Sequence, residues 1–324
     1  MSVPGFDPRW KDFPDYIIGI TKEIWEDRQI STLHHYYADD IVVRTPSSVI
    51  IGNKGVIAAT MATLAEFPDR TLLGEDVIWS GDEDVGFLSS HRLLSTATHA
   101  HDGVYGKATG KKLTYRIIAD CAAKKNTIYD EWLIRDQGAI VRQLGLQPEA
   151  YARDLIEREG GASTCVKPLT PDTDTKGAYN GQGNEHPVGQ RYADILSRIM
   201  QAEMSVIPAE YDRACALEYP GGQSGHSHAD ADQFWMGLRA SLPSARFTLH
   251  HVVGREDPMM PPRAAVRWSL HGRHDGWGLL GKPTNADVYV LGISHAEFGP
   301  WGLRREYTLF DETSLWKQLI LKTG

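Results

Sequence analysis

Cysteine is nearly absent. The chain has three, Cys121, Cys165 and Cys215, odd in number and scattered. That excludes a disulfide framework and a Cys-x-x-Cys metal site, and a reducing cytoplasm is the expected location. Long apolar runs are missing too. None approaches the roughly 20 residues that span a bilayer, and the opening MSVPGFDPRWKDF has no apolar signal core, so no secretory leader is expected. Positive charge is in deficit: 34 Lys and Arg stand against 42 Asp and Glu, a formal charge of −8. Nucleic acid and anionic membranes both need a basic footprint, so neither is an expected partner. No GxGxxG, Walker loop or nucleophile elbow occurs, and nothing asks for an organic cofactor. The run His226-Ser227-His228-Ala229-Asp230 is the nearest thing to a metal motif. It stands in a Gly/Ser-rich stretch without a further ligand set, so no metal and no cofactor are expected.

What the chain does have is a repeat. Adding 175 to residue numbers from Pro68 onward turns Pro68 into Pro243, Arg92 into Arg267, His99 into His274, Glu131 into Glu306 and Asp136 into Asp311. A period this long is a domain duplication rather than a solenoid, whose unit is roughly 20–50 residues. At 324 residues the length agrees with about two domains. The boundaries expected are 1–158 and 190–324, joined by a Gly-, Pro-, Thr- and Asp-rich linker over 159–189.

Within the first copy, Ile17, Ile20, Ile24 and Trp25 recur at helical spacing after Pro14-Asp15. A short helix over about 30–38, a strand at Ile41-Val42-Val43 and a third helix from Lys54 to Phe67 follow. Strands are expected at about 71–80, 85–99, 112–124 and 127–136, and a closing helix at 148–158. The second copy repeats the plan: a helix through Tyr192 and Ile195, one from Asp232 to Ser241, then strands near 246–254, 263–274, 286–298 and 302–311. Helices first and an antiparallel meander after imply α+β domains with helices on one face of a curved sheet.

This order, with Tyr36-Tyr37-Ala38-Asp39-Asp40 before Thr45-Pro46, the hairpin from His99 to Gly110, and Glu131-Trp132 with Asp136, resembles the SnoaL-like polyketide cyclase branch of the nuclear transport factor 2-like superfamily. The resemblance implies two tandem cone-shaped α+β barrels, each with three or more helices packed on a curved, mostly antiparallel sheet. It implies a cofactor-independent enzyme acting on a small hydroxylated aromatic or polyketide-like molecule, and a homodimer or an internal pseudo-dimer built through the sheets. By likeness to ketosteroid isomerase and limonene epoxide hydrolase, Asp120 and Glu131 are expected to face one cavity from adjacent strands, Arg116 and Tyr129 beside them. Strand alternation is the basis for sharing out those faces. A carboxylate in an apolar cone would titrate high enough for proton transfer.

His99 could serve a developing enolate, or simply cap its hairpin. Trp25, Tyr36 and Tyr37 could stack on an aromatic ligand at the mouth, or be plain core. In the second copy Asp120 becomes His295 and Arg116 becomes Leu291, while Glu306, His274 and Tyr211 remain as candidates. The acids could equally be members of a structural ion-pair network. The reaction expected is a lyase or dehydratase step, and the resemblance implies release of formaldehyde from a lignin-derived compound as one form. An aldol cyclase or isomerase and a non-catalytic binding module are the alternatives.

Overall fold

The computed structural model describes residues 3–324. Asp12 opens α1 (Phe13–Thr21), its carboxylate accepting from the Asp15 N–H, as an N-cap should. The helix runs on through a wider π-helical turn at Lys22–Glu26. A 3₁₀ turn and the single turn α2 (Leu33–Tyr36) lead into β1 (Tyr37–Thr45) and β2 (Ser48–Ile51). Then come α3 (Asn53–Glu66), β3 (Thr71–Asp82), β4 (Gly86–Thr98), β5 (Lys112–Lys124), β6 (Thr127–Arg135), α4 (Gln137–Leu144) and α5 (Pro148–Arg158). The second half has α6 (Pro187–Met200), α7 (Val206–Glu210), β7 (Tyr211–Tyr219), β8 (Gln223–Gly225), α8 (His228–Ser241), β9 (Arg246–Arg255), β10 (Arg263–Arg273), β11 (Asp287–Gly299), β12 (Gly302–Leu309) and α9 (Glu312–Thr323).

Each half holds one six-stranded sheet, in the orders β2-β1-β6-β5-β4-β3 and β8-β7-β12-β11-β10-β9. Only β1 with β6, and β7 with β12, run parallel. The two orders match strand for strand, giving an α+β fold twice over, with each sheet open between its edge strands rather than closed. The helix α4 stands where no element is expected from apolar period alone. Asp136 caps it, accepting from the Ala139 N–H at 2.9 Å, and Asp311 caps α9 in the same way. The repeated Asp is therefore a helix start.

The 175 offset has one break. The β1–β2 turn has two residues, whereas the β7–β8 turn has three, Pro220, Gly221 and Gly222. Both glycines take positive φ, +82° and +70°, a region open to glycine at little cost. Their N–H groups donate to the Asp136 carboxylate at 2.8 and 3.0 Å, tying the halves together. Ahead of this turn the offset is 174, so Tyr211 stands at the place of Tyr37: both pair with β6 or β12 at the equivalent residue, Ile128 or Leu303.

The sheets face each other on the sides away from their helices. Ile118 and Ile134 of the first pack on Leu291, Ile293 and Leu309 of the second, with Leu169 of the connecting segment. That segment is strapped down: Leu169 N–H donates to Pro46 O, Asp174 pairs with Arg44, and Gln182 and Asn184 bond Val252.

Candidate active site

Register decides which side chains share a cavity. Glu131 lies opposite Cys121, and Asp120 opposite Trp132. Paired residues share a face, so Glu131 and Asp120 point to opposite sides of the sheet. Glu131, with Cys121, Ala119 and Ile117, faces the helices of its own half. Asp120 faces the other half, where its Oδ2 accepts from Arg267 Nη1 at 2.8 Å and the guanidinium lies 3.5 Å from the Trp132 ring centroid. The expected Asp120–Glu131 pair does not exist. Arg116 corrects the same way: it shares the Asp120 face and bonds Glu75 and, across the interface, Glu218. Strand alternation grouped these residues correctly and assigned the group to the wrong face. β5 is apolar on both sides because helices cover one and the second sheet the other.

Tyr129 departs for a different reason. A bulge between Asp130 and Ile128 breaks the alternation, and the Tyr129 hydroxyl reaches Val85 O at 3.3 Å. Tyr36 also lies outside the cavity, donating to Glu23 Oε2 at 2.6 Å and accepting from Arg9. Its neighbour Tyr37 does line the cavity, as does Trp25.

The cavity has two chambers. The inner one, about 70 Å³, lies between α1, the π-helical turn and the sheet. The outer one, about 190 Å³, opens past β1, β2 and α3. Trp25, Tyr37, Glu131, Leu133 and Arg135 line both, so Glu131 stands at their junction. Its side chain is buried and its Oε2 has no hydrogen-bond partner. Burial pushes its pKa from 4.5 up to about 7; Tyr37 draws it down in part, and Asp130 adds to the rise. His91 lines the inner chamber as a neutral imidazole, burial holding its pKa down to about 4.

Two arginines complete the inner chamber. Arg70 is 3 % exposed, with Nε and Nη1 unpartnered and its guanidinium 5.0 Å from the Trp25 ring centroid. Arg135 likewise has an unpartnered Nε. Arg135 stands four residues past Glu131 on β6 and so shares its face by strand alternation, whereas no such pattern marks Arg70 or His91. A signal existed in the repeat: Arg70, His91 and Arg135 correspond to Ala245, Val266 and Phe310, so the first copy is polar where the second is apolar.

The second half has filled the equivalent space. Thr60, Leu72, Leu93 and Arg135 give way to Trp235, Phe247, Trp268 and Phe310, and Trp235 and Trp268 are fully buried. Glu306 is enclosed by four donors: the hydroxyls of Tyr192, Tyr211 and Tyr219 at 2.8, 2.8 and 2.7 Å, and Trp235 Nε1 at 3.2 Å. No oxygen of it is left for a ligand. His295 sits in the interface, bonded to Ser90 at 2.8 Å and Arg92 at 3.2 Å.

His99 closes its hairpin onto α3. Its Nε2 and Nδ1 meet Glu66 Oε1 and Thr109 Oγ1, both at 3.1 Å, and Glu66 also accepts from the Val104 and Tyr105 N–H groups. His274 keeps only the Thr284 contact, because Ser241 replaces Glu66. Neither histidine faces the cavity lining. The stretch around His226 is a helix start: Ser227 caps α8, and Asp230 accepts from His226 N–H and the Ser227 hydroxyl. Among the described residues no cluster of three or more His, Cys, Asp or Glu is placed to hold a metal, and no helix is long and apolar enough to cross a membrane.

A cleft of about 500 Å³ runs beneath the connecting segment. Arg44 is paired with Asp130 and Asp174, and Arg267 with Asp120, which leaves Lys176 and the imidazole of His250, bonded to Ser269 at 2.8 Å, as its other nitrogen bases.

Residues 16–144 match the family model of the SnoaL-like polyketide cyclases. Among solved structures, IdmH from Streptomyces antibioticus is 23% identical, over 41% of this chain and 98% of its own, with a TM-score of 0.36. A SnoaL-like polyketide cyclase from Agrobacterium tumefaciens is 18% identical, over 41% and 97%, with a TM-score of 0.34. TsrD from Streptomyces laurentii is 17% identical, over 41% and 93%, with a TM-score of 0.36. No curated protein matches the chain.

Proposed function

We propose that this chain, a tandem SnoaL-like protein, is a cofactor-independent acid–base enzyme whose first half works and whose second half is its scaffold. The observation that carries this reading is Glu131: a buried carboxyl with a pKa of about 7 and one free oxygen, at the junction of two chambers. A group half-protonated near neutrality can take a proton in one step and return it in the next. The small inner chamber suits one end of a ligand, and Trp25 and Tyr37 offer aromatic walls for a ring.

The reaction we favour is a lyase or dehydratase step on a hydroxylated aromatic. In the lyase form, Glu131 accepts the proton of a substrate hydroxyl. The adjacent C–C bond breaks, a carbonyl compound such as formaldehyde leaves, and the electron pair stays on the remaining carbon, conjugated with the ring. Glu131 then returns the proton to that carbon, so atoms and charge balance. In the dehydratase form it removes a C–H proton and then gives that proton to the neighbouring hydroxyl, which departs as water. A guanidinium stabilises the anion formed in either. The family match favours a second reading, aldol cyclisation or isomerisation, which makes the same demand on Glu131.

The test is turnover of a panel of phenolic diols and β-hydroxy ketones by the wild type, Glu131→Gln and Glu306→Gln. Loss of roughly 10²–10⁴ in rate is expected for Glu131→Gln, the usual general acid–base contribution, with Glu306→Gln active. Chelation should leave the wild type working. Full activity in Glu131→Gln would move the chemistry elsewhere, and a folded wild type that binds the panel without turning any of it over would favour a binding module.

A further inference from the structure

The inner chamber contains more donor capacity than the chain itself uses. Arg70 Nε and Nη1 and Arg135 Nε are buried without hydrogen-bond partners, and the Tyr115 hydroxyl lies close to Arg70 and to Ser95. Ser95 and Tyr115 are register partners on the same face as Leu93 and Ile117, just beyond the arginines. Buried polar groups are nearly always paired, so three unpartnered guanidinium nitrogens on the wall of one cavity call for an explanation. The two guanidiniums also act on each other and on Tyr115. Burial and then Arg135 hold the Arg70 pKa down to about 10. Against its own burial, Tyr115 is held below its ordinary value by Arg70 and Arg135.

Negative charge nearby is committed elsewhere. Glu66 is spent on His99 and on two backbone N–H groups. Glu131 is raised by burial and by Asp130, with neither arginine among the groups that set its pKa. A buried Arg70 and a half-buried Arg135 without a paired carboxylate are costly in an empty protein, and a ligand that brings the missing anion removes the cost.

We propose that Arg70 and Arg135 form a carboxylate-binding end of this cavity, so that the substrate is an organic acid anchored there with its reacting carbon beside Glu131. The inference rests on the first-half cavity being the working site, and it adds the class of molecule that enters. A planar carboxylate suits guanidinium forks, which recognise it through parallel N–H···O bonds. The inner chamber, about 70 Å³, admits such a head group, while the outer one, about 190 Å³, takes the body of the molecule. Trp25 covers Arg70 from one side, excluding water and strengthening the contact. The second half has lost the whole device, with Ala245 and Phe310 at these two places.

The experiment compares matched acid and amide probes on the intact protein by titration calorimetry: benzoate with benzamide, phenylacetate with phenylacetamide, and cinnamate with cinnamamide. At least one acid is expected to bind, about tenfold or more tighter than its amide. Arg70→Gln and Arg135→Gln should abolish that preference, and Arg135→Lys, which keeps the charge, should retain part of it. The wild-type comparison needs no variant and stands even if a substituted chain does not fold. Equal binding of acid and amide, no binding of any acid, or an unchanged preference in well-folded Arg70→Gln and Arg135→Gln overturns the proposal. Glu131→Gln separates the two ideas. It should bind the acids as well as the wild type does while failing in turnover. Intact turnover in that variant would sink the acid–base reading and leave the carboxylate site standing, whereas loss of the acid preference alone would do the reverse.

Discussion

Asp120 and Glu131 lie on neighbouring strands, one register position apart, and turn to opposite faces of the same sheet. That relationship divides the labour of the molecule. One carboxylate meets Arg267 across the interface and holds the halves together; the other looks into a cavity and titrates near neutrality.

Asp120→Asn should therefore damage stability and spare chemistry. It leaves the Arg267 guanidinium buried without its counter-ion, a loss of about 3–5 kcal/mol for a broken buried pair. Urea unfolding should show it, while the turnover of the folded fraction stays at the wild-type level. Lost turnover with unchanged stability would return Asp120 to the site.

Glu131 makes stability depend on pH in a definite direction. Its folded pKa, about 7, lies above the ordinary 4.5, so between these values the folded chain binds more protons than the unfolded one and stability falls as pH rises. At about 1.4 kcal/mol per pKa unit, Glu131→Gln should stabilise the protein by up to about 3 kcal/mol above pH 7. Below pH 4.5 it should do little. Denaturation midpoints at pH 4.5 and pH 8 check this; a gain independent of pH would contradict it.

The filled second half predicts a pure stability cost for Trp235→Ala. Emptying that space should cost about 3–5 kcal/mol, as for other buried tryptophans, and takes one donor from Glu306. Turnover of the folded fraction should be unchanged. A fall in activity greater than the fall in folded protein would give the second half a catalytic share.

His99→Ala should loosen the hairpin rather than the chemistry. It removes one partner from buried Glu66, worth about 1–3 kcal/mol, and amide exchange over residues 99–110 should quicken. The pH dependence of turnover should stay as in the wild type, which separates a latch from a proton donor.

The repeat made the fold legible. Pairing registers recur at the constant offset, as with Cys121 opposite Glu131 and Ala296 opposite Glu306. That Glu131, Tyr37 and Trp25 line a cavity was also within reach of the sequence, because a carboxylate and aromatics stand out in an apolar pattern. The facing of Asp120 was not. Its strand is apolar on both sides, and alternation carries directional information only when one side meets water. Tyr129 was lost to a bulge that no period reveals. The one-residue growth of a turn moved Tyr211 from the place of Tyr36 to that of Tyr37. Arg70 was hidden because a lone Arg at a strand start usually reads as surface, and only the Ala245 of the sister copy marks it as unusual.

Whether a single carboxyl in the first half is poised for proton transfer can be measured without knowing the substrate. The side-chain carboxyl of Glu131 can be followed by carbon NMR from pH 4 to 9 in protein with labelled glutamate, its resonance identified by its absence from Glu131→Gln. A midpoint near 7, set by burial, is expected. A midpoint at the ordinary value of 4.5 would show a solvated or paired carboxylate and contradict it.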